Sequence, residues 1–173
     1  DLGHEYLKGR CIEGESFLLD KSNHEDHGTS IAGAVLKYSD ITAGKFMHLK
    51  GNVKILPIEI NVLDIQTDYG FLMGEAIQYA IDSGADVINM SFSGASPNPY
   101  VYEKIKTGSE KGVIFVSAAG NSGYDSYNFP AAYEGVVSVG SCFLKEEGKW
   151  IKSSFSNNND DVDLVILGEK IML

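Results

Sequence analysis

The sequence is poor in cysteine, in basic residues and in long apolar runs. Its two cysteines, Cys11 and Cys142, are too few for a disulfide framework, so they do not indicate a redox compartment. Only 14 Lys and Arg stand against 24 Asp and Glu, and the formal net charge of −10 argues against nucleic acid and anionic membranes as partners. No apolar run approaches the roughly 18 residues that span a bilayer, so we expect no membrane span.

The pattern that is present is the alternation of strands and helices typical of one α/β domain. At 173 residues, 43% of them hydrophobic, the chain is long enough to bury a core. Apolar runs and amphipathic patterns predict strands at 52–60, 86–91, 113–117, 136–140 and 162–166, and helices at 70–83 and 98–112. In the first helix, five apolar residues are expected to share one buried face: Phe71, Ala76, Ile77, Ala80 and Ile81. This alternation predicts a doubly wound, mostly parallel sheet with helices on both faces. The polar, Asn-rich stretch 153–163 is expected to be a loop.

Two short segments rich in small residues lie where predicted strands end. Ser91–Gly94 begins where the strand at 86–91 ends, and Ser117–Gly123 begins where the strand at 113–117 ends. Ligand sites of parallel sheets gather at the carboxyl ends of the strands. Because small residues let a ligand backbone approach closely, these two segments are the candidate binding loops.

A histidine begins the segment His27–Gly33, whose small residues permit a closely packed helix. Ile31, Val35 and Leu36 supply its apolar face. A histidine at the start of a helix is suited to acid–base chemistry near neutral pH. A single histidine is more often structural, however, so chemistry at His27 requires partners elsewhere in the chain.

Several motifs occur together in the order found in one enzyme family. His27–Gly33 (HGTSIAG) resembles the histidine motif of the subtilases, the subtilisin-like serine proteases, and Ala118–Asn121 (AAGN) resembles their oxyanion-hole motif. Further similar stretches are Ala85–Ser91, Phe129–Pro130, Val136–Gly140, Phe155–Ser156 and Val162–Val165. The resemblance covers nearly the whole chain. It implies that residues 1–173 form a partial subtilisin-like peptidase domain, truncated at both ends.

The resemblance implies a role for each matching residue. In an Asp-His-Ser triad, His27 would be the general base and Asp1 would orient it, while Asn121 would donate its side-chain amide to the oxyanion. Asp26 is expected to serve the helix start instead, since a sequence neighbour cannot easily reach the His27 ring. Phe92 is expected to be either a subsite wall or a core aromatic. The residues expected to flank the substrate are Ser91, Phe92, Ser93, Gly94, Ala118, Ala119 and Gly120.

The serine motif of the family does not occur in its expected place within the chain. By resemblance, the nucleophile is expected a short way beyond Leu173, and this fragment alone is expected to be inactive. Ser30 follows a Gly-Thr pair, but it matches a variable family position on the histidine helix, which argues against it as the nucleophile. The activity implied for the intact protein is endopeptidase hydrolysis through an acyl-enzyme.

Departures from the family pattern keep two other functions open. Leu2 stands where the family has Ser or Thr, Ser93 where it usually has Gly, and Ile166–Leu167 where it commonly has Ala-Pro. These differences are consistent with a catalytically inactive homologue that acts as a peptide-binding or regulatory domain. An unrelated α/β binding domain is the third hypothesis, and it predicts that the three implied catalytic residues do not converge in space.

Partners, location and cofactors follow from the resemblance alone. It implies a polypeptide substrate and secretion, with a propeptide or a peptide inhibitor as a further candidate partner and with any leader outside these residues. No cofactor is assigned, and calcium is implied only as a ligand common in the family. Four oxygen donors have no recognisable ligand spacing and are expected to be solvated, so no metal site is assigned: Asp20, Asn23, Asp40 and Asp64.

Overall fold

The structure of the chain, a computed structural model, describes residues 1–18, 26–42, 52–60, 68–145 and 148–169. Internal contacts divide the chain into two units, Asp1–Ile65 and Gln66–Met172. The first unit contains strand β1 (Glu15–Ser16), helix α1 (His27–Thr42) and strand β2 (Ile58–Glu59). The described part of the second contains two helices and five strands, and both candidate binding loops belong to it.

The strand predicted at 52–60 is shorter in the structure. Only β2 forms a ladder, in which Ile58 lies opposite Glu15 of the parallel strand β1, and Ile55 makes an isolated bridge to Cys11. Pro57 stands between the two pairings and has no N–H to donate, so a continuous ladder cannot form across it. Its carbonyl still accepts a hydrogen bond from the N–H of Glu15 at 3.2 Å.

The elements of the second unit occur in the predicted order. They are α2 (Tyr69–Asp82), β3 (Val87–Met90), α3 (Pro99–Glu110), β4 (Ile114–Ala118), β5 (Val136–Leu144), β6 (Trp150–Lys152) and β7 (Leu164–Leu167). Strands β3, β4, β5 and β7 pair in parallel, and β6 pairs with the end of β5 in antiparallel orientation. Strand β5 is longer than predicted because its last residues form this hairpin, which the sequence patterns do not predict.

Side-chain caps set the beginnings of both helices. The Asp68 carboxylate accepts from the N–H of Phe71 at 3.2 Å at the start of α2. The Asn98 side chain accepts from the N–H groups of Tyr100 and Val101 at 2.9 and 3.2 Å, and a proline follows it at the first helical position of α3. Both predicted helices are confirmed to within two residues at each end. None of the helices in the described ranges is long and apolar enough to cross a membrane.

The core of the second unit lies between its two helices and one face of the sheet. Phe115 of β4 and Ile105 of α3 have no exposed surface. The packed cluster consists of Met73, Ile77, Ile81, Met90, Val101, Ile105, Phe115 and Val136. On the opposite face of the sheet, Val87 and Ile114 are 54% and 53% exposed, so the apolar runs did not predict which side of each strand the helices of this unit cover.

Phe71 is a correction to the predicted buried face of α2. The sequence pattern groups it with the buried residues Ala76 and Ile77, but its side chain is 52% exposed. At about 100° per residue, Phe71 lies roughly 200° around the helix from the buried Met73. Its ring stacks instead on Tyr100 of α3, with the ring centroids 5.7 Å apart.

Gly108 allows α3 to approach β4 closely, and its substitution tests that packing. A Cβ atom there would lie 2.6 Å from the Phe115 ring and 2.9 Å from Ile81, and the Phe115 side chain is fully buried. Alanine is the better helix former by about 1 kcal/mol, but overpacking typically costs about 1–3 kcal/mol. We therefore expect Gly108→Ala to lower the free energy of unfolding by about 1 kcal/mol in urea titrations. The exposed Lys106→Ala on the same helix should change it by less than about 0.5 kcal/mol, and a Gly108→Ala protein as stable as wild type would contradict the packing argument.

Candidate active site

His27 is the first residue of α1. The carbonyl of Asp26 accepts a hydrogen bond from the N–H of Ser30 at 3.0 Å, which places Asp26 at the helix start as the sequence predicts. The His27 side chain is exposed and makes no hydrogen bond to the described residues. An exposed imidazole at a helix start is free to receive a ligand or a partner.

Asp1 lies beside the first turn of α1. Its amine donates to the Thr29 hydroxyl at 2.6 Å, and its carboxylate accepts from the N–H of Gly3 at 2.8 Å. Within the described ranges no hydrogen bond joins the Asp1 carboxylate to the His27 ring. The structure thus brings Asp1 near the helix that carries His27, and its role in orienting the imidazole stays a prediction.

The segment Ser91–Gly94 is anchored at both ends. At its start, the buried Ser117 of β4 donates to the carbonyl of Met90 at 3.1 Å, which ties the ends of the neighbouring strands β3 and β4 together. At its end, Gly94 and Phe129 exchange backbone hydrogen bonds of 2.8 and 2.9 Å. The two candidate binding loops therefore begin side by side on one edge of the sheet.

The residues predicted to flank a substrate differ in exposure. Ser93 and Gly94 are exposed, whereas Ala119 and Gly120 are buried. The Phe92 ring is half-buried and packs against the core cluster, so it serves the core and still presents surface. A ligand on this edge would meet Ser93 directly, while Ala119 can contribute only through the backbone around it.

The loop that carries Asn121 is braced on both sides of that residue. The carbonyl of Gly120 accepts from the backbone N–H of Asn157 at 3.1 Å, and the N–H of Ser122 donates to the Asn157 side chain at 2.9 Å. The N–H of Gly123 donates to the carbonyl of Phe155 at 2.7 Å. The Asn121 side chain itself is exposed, so the arrangement offers a carboxamide on a fixed backbone.

Gly120 is required by this arrangement. Its φ of +110° is a conformation that residues with a Cβ rarely adopt. A Cβ there would also collide with the side-chain amides of Asn128 and Asn157. The glycine thus lets two asparagines approach the backbone immediately before Asn121.

A cavity of about 190 Å³ adjoins Gly94. It has no charged residue among its lining side chains, which are contributed by Tyr69, Gly70, Met73, Gly94, Ser96, Pro97, Asn98, Val101, Phe129, Pro130 and Tyr133. Burial raises the pKa of Tyr69 to about 12, so its hydroxyl is neutral at physiological pH. Burial likewise raises the pKa of Tyr133, although its hydrogen bond with Asn98 opposes the shift. The cavity is suited to an uncharged group.

Tyr133 joins two walls of this cavity. The sequence patterns do not predict this link. Its hydroxyl accepts from the N–H of Asn98 at 2.6 Å and donates to the carbonyl of the same residue at 3.1 Å. Its ring packs against Phe129 and Tyr102 at centroid distances of 4.8 and 5.1 Å. Phe129–Pro130, one of the stretches that resemble the family pattern, also lines this cavity, but Tyr133 belongs to no such stretch.

The described residues offer little to a metal ion. Asp40, one of the four oxygen donors considered for calcium, pairs with Arg10 through contacts of 3.1 and 3.3 Å, and a guanidinium at that position would repel a cation. The other three, Asp20, Asn23 and Asp64, lie outside the described residues. No group of three or more His, Cys, Asp or Glu side chains in the described ranges could hold a metal ion.

The sequence profile of the Peptidase S8 subtilase family matches residues 11–172. The chain belongs to the subtilase family. The matched range includes His27 and Asn121, and Asp1 lies before it. Membership in this family makes the chain homologous to subtilisin-like serine proteases.

Relatives of known name agree with this assignment. The "Major intracellular serine protease" of Bacillus subtilis (strain 168) is 31% identical over 99% of this chain and 56% of its own length. The "Halolysin-like extracellular serine protease Nep" of Natrialba magadii is 35% identical over 99% of this chain and 30% of its own length. The chain spans about half the length of most curated relatives it matches. Subtilases similar to this chain are therefore named for both intracellular and extracellular locations.

The predicted fold class is confirmed by a solved structure. A cold-adapted subtilisin-like serine proteinase superposes with a TM-score of 0.74 over 98% of this chain and 60% of the other, at 26% identity. The shared architecture is the α/β fold with a mostly parallel sheet.

Tyr133→Phe tests the link across the cavity. The variant keeps the ring but leaves the half-buried N–H of Asn98 without its partner, which should lower the free energy of unfolding by about 1–3 kcal/mol. The Asn98 carbonyl keeps a second hydrogen bond, which it accepts from the N–H of Tyr102 at 3.1 Å. Tyr102→Phe is the matched control, because that hydroxyl makes only an exposed contact of 3.4 Å to Glu134. Chemical unfolding of both variants measures the difference, and equal stabilities would contradict a structural role for the Tyr133 hydroxyl.

Proposed function

We propose that the protein containing this chain is a serine endopeptidase with an Asp-His-Ser triad. A serine hydroxyl from a segment outside these 173 residues attacks the substrate carbonyl, and His27 takes its proton and passes it to the leaving amine. Asp1 orients His27, and Asn121 stabilises the oxyanion of the tetrahedral intermediate. Water then hydrolyses the acyl-enzyme.

The observation that carries this proposal is the braced, exposed carboxamide of Asn121. An oxyanion donor is effective when its geometry is set before the reaction, because no reorganisation is then needed as charge develops. Hydrogen bonds at Gly120, Ser122 and Gly123 fix the backbone around Asn121 and leave its side chain exposed. An ordinary surface asparagine does not require such support.

The edge formed by Ser91–Gly94 supports a peptide as the ligand. An extended peptide binds an exposed strand edge through main-chain hydrogen bonds. Both backbone groups of Gly94 are already bonded to Phe129, so pairing with a peptide falls to the preceding residues of the segment. The uncharged cavity beside Gly94 then favours an apolar or aromatic side chain of that peptide.

A catalytically inactive, peptide-binding homologue is the second candidate function. The exposed Ser93, at a position where the family usually has glycine, favours it, since a side chain there restricts close approach of a substrate backbone. Secretion and calcium binding stay predictions from the resemblance.

Active-site labelling separates the two functions. We expect a fluorophosphonate probe to label the full-length protein, because only an activated serine reacts with it. His27→Ala should abolish labelling, whereas Ser30→Ala on the same exposed helix face should label like wild type. A folded full-length protein that binds peptides but resists the probe would contradict the protease and support the inactive homologue.

Substitution of Asn121 tests the oxyanion role. Asn121→Ala should lower kcat by about 10²–10³-fold, the magnitude established for loss of such a donor in a subtilisin, a member of this family. KM should change little, because the donor acts mainly in the transition state. Asn158→Ala is the control, since that asparagine is exposed in the neighbouring loop and its side chain makes no hydrogen bond to the described residues. Steady-state kinetics on a peptide substrate measures both, and an unchanged kcat in Asn121→Ala rules out the assigned role.

A further inference from the structure

The Asn-rich loop at 153–163 is a loop, as predicted, but much of it is buried. Ser153, Ser156 and Asn157 are at most 1% exposed, and Asn159 is 8% exposed. A buried carboxamide is costly unless its hydrogen bonds are satisfied. The contacts of these side chains therefore indicate what the loop holds in place.

Asn157 makes its contacts to the backbone on both sides of Asn121. Its side-chain oxygen accepts from the N–H of Ser122 at 2.9 Å, and its backbone N–H donates to the carbonyl of Gly120 at 3.1 Å. Its side-chain nitrogen donates to the carbonyl and hydroxyl of Ser126 at 3.0 and 3.1 Å. Every polar group of this carboxamide is thus engaged with the segment that carries Asn121.

The strands of the sheet in turn hold Asn157. The Ser156 hydroxyl accepts from the N–H of Ser141 in β5 at 2.9 Å and donates to the carbonyl of Asn157 at 3.2 Å. Lys152, the last residue of β6, donates to the carbonyl of Ser156 at 2.6 Å. The position of Asn157 is therefore fixed by regular secondary structure rather than by the loop alone.

From these contacts we propose that Asn157 is a positioning residue for the oxyanion donor Asn121. The expected effect on kcat rests on the proposed function. The structural claim, that Asn157 holds the Ser122 N–H and the Gly120 carbonyl, does not. Asn157 does not touch the substrate in this proposal. It acts by holding the backbone on either side of Asn121, so that the carboxamide meets the developing charge without rearrangement.

Asn159 provides a matched control from the same loop. Its side-chain nitrogen donates to the carbonyl of Ser126 at 2.5 Å, and its oxygen accepts from the N–H of Asp161 at 3.0 Å. It shares the burial and the Ser126 contact of Asn157 but has no hydrogen bond to Gly120 or Ser122. Comparison of the two residues separates positioning of Asn121 from general support of the loop.

The kinetic test is a double-mutant cycle in the full-length protein. Asn157→Ala should lower kcat by about 10-fold or more with little change in KM, because a displacement of about 1 Å at a catalytic group costs up to 10²-fold. In an Asn121→Ala background, the same change should lower kcat by less than about twofold, since the residue it positions is already gone. Asn159→Ala should leave kcat within about threefold of wild type. A fall in kcat that is equal in both backgrounds would overturn the proposal.

Hydrogen exchange at the Ser122 amide tests the positioning without any need for catalysis. Asn157→Ala should remove the exchange protection of this amide, and Asn159→Ala should keep it. If the wild-type protein proves inactive, the proposed function fails while this measurement still decides the structural inference. Protection that is unchanged in Asn157→Ala overturns it.

Asn157→Asp covers the case in which the alanine variant does not fold. Aspartate has nearly the same shape and retains an oxygen that can accept from the Ser122 N–H. The Ser122 amide should therefore keep its protection, while the donation to Ser126 is lost. A folded Asn157→Asp protein that loses Ser122 protection but keeps the wild-type kcat would likewise overturn the proposal.

Discussion

The parallel ladder between β3 and β4 is the constraint on which the candidate site depends. It pairs Val87 with Ile114 and ends by pairing Met90 with Ser117, so the two strands stop level with each other. The Ser117 hydroxyl donates to the carbonyl of Met90 rather than to water. A shift of the register by one residue would turn Phe115 out of the core and Ser117 away from Met90, so the burial of the core and the alignment of the two loops are set together.

Beyond the ends of the strands, buried polar side chains supply the hydrogen bonds that the ladder does not. The loops that leave the strand ends have no ladder of their own, so their backbone groups need other partners. Asn157 provides these partners for the loop that begins at Ser117. This one residue supplies both an acceptor and donors to a segment that contains two glycines, Gly120 and Gly123. Hydrogen bonds of this kind have direction, whereas apolar contacts do not, and direction is what a fixed carboxamide requires.

The sequence predicts the features that depend on short-range patterns. Both helices of the second unit follow from apolar periodicity, and the candidate loops follow from small residues at strand ends. The prediction of a buried Phe71 is wrong because helix geometry places this residue roughly 200° around α2 from the buried Met73. Its stacking on Tyr100 could not be predicted, because Tyr100 lies on another helix. The burial of Asn157 likewise depends on the tertiary fold. A run of asparagines is typical of a solvated loop, and only the tertiary fold shows that one of them is buried beside Gly120.

The hydrogen bonds that brace Asn121 all fall within the unit Gln66–Met172, whereas His27 belongs to the unit Asp1–Ile65. An oxyanion donor acts on developing charge, and a histidine base acts on a proton, so the two contributions to catalysis are chemically distinct. Enzymes with this triad retain part of their rate enhancement when a triad residue is lost, because the donors still stabilise the transition state. The geometry of the donor therefore does not require a competent base, and a subtilase domain that has lost its nucleophile would still present a rigid carboxamide to a bound peptide carbonyl.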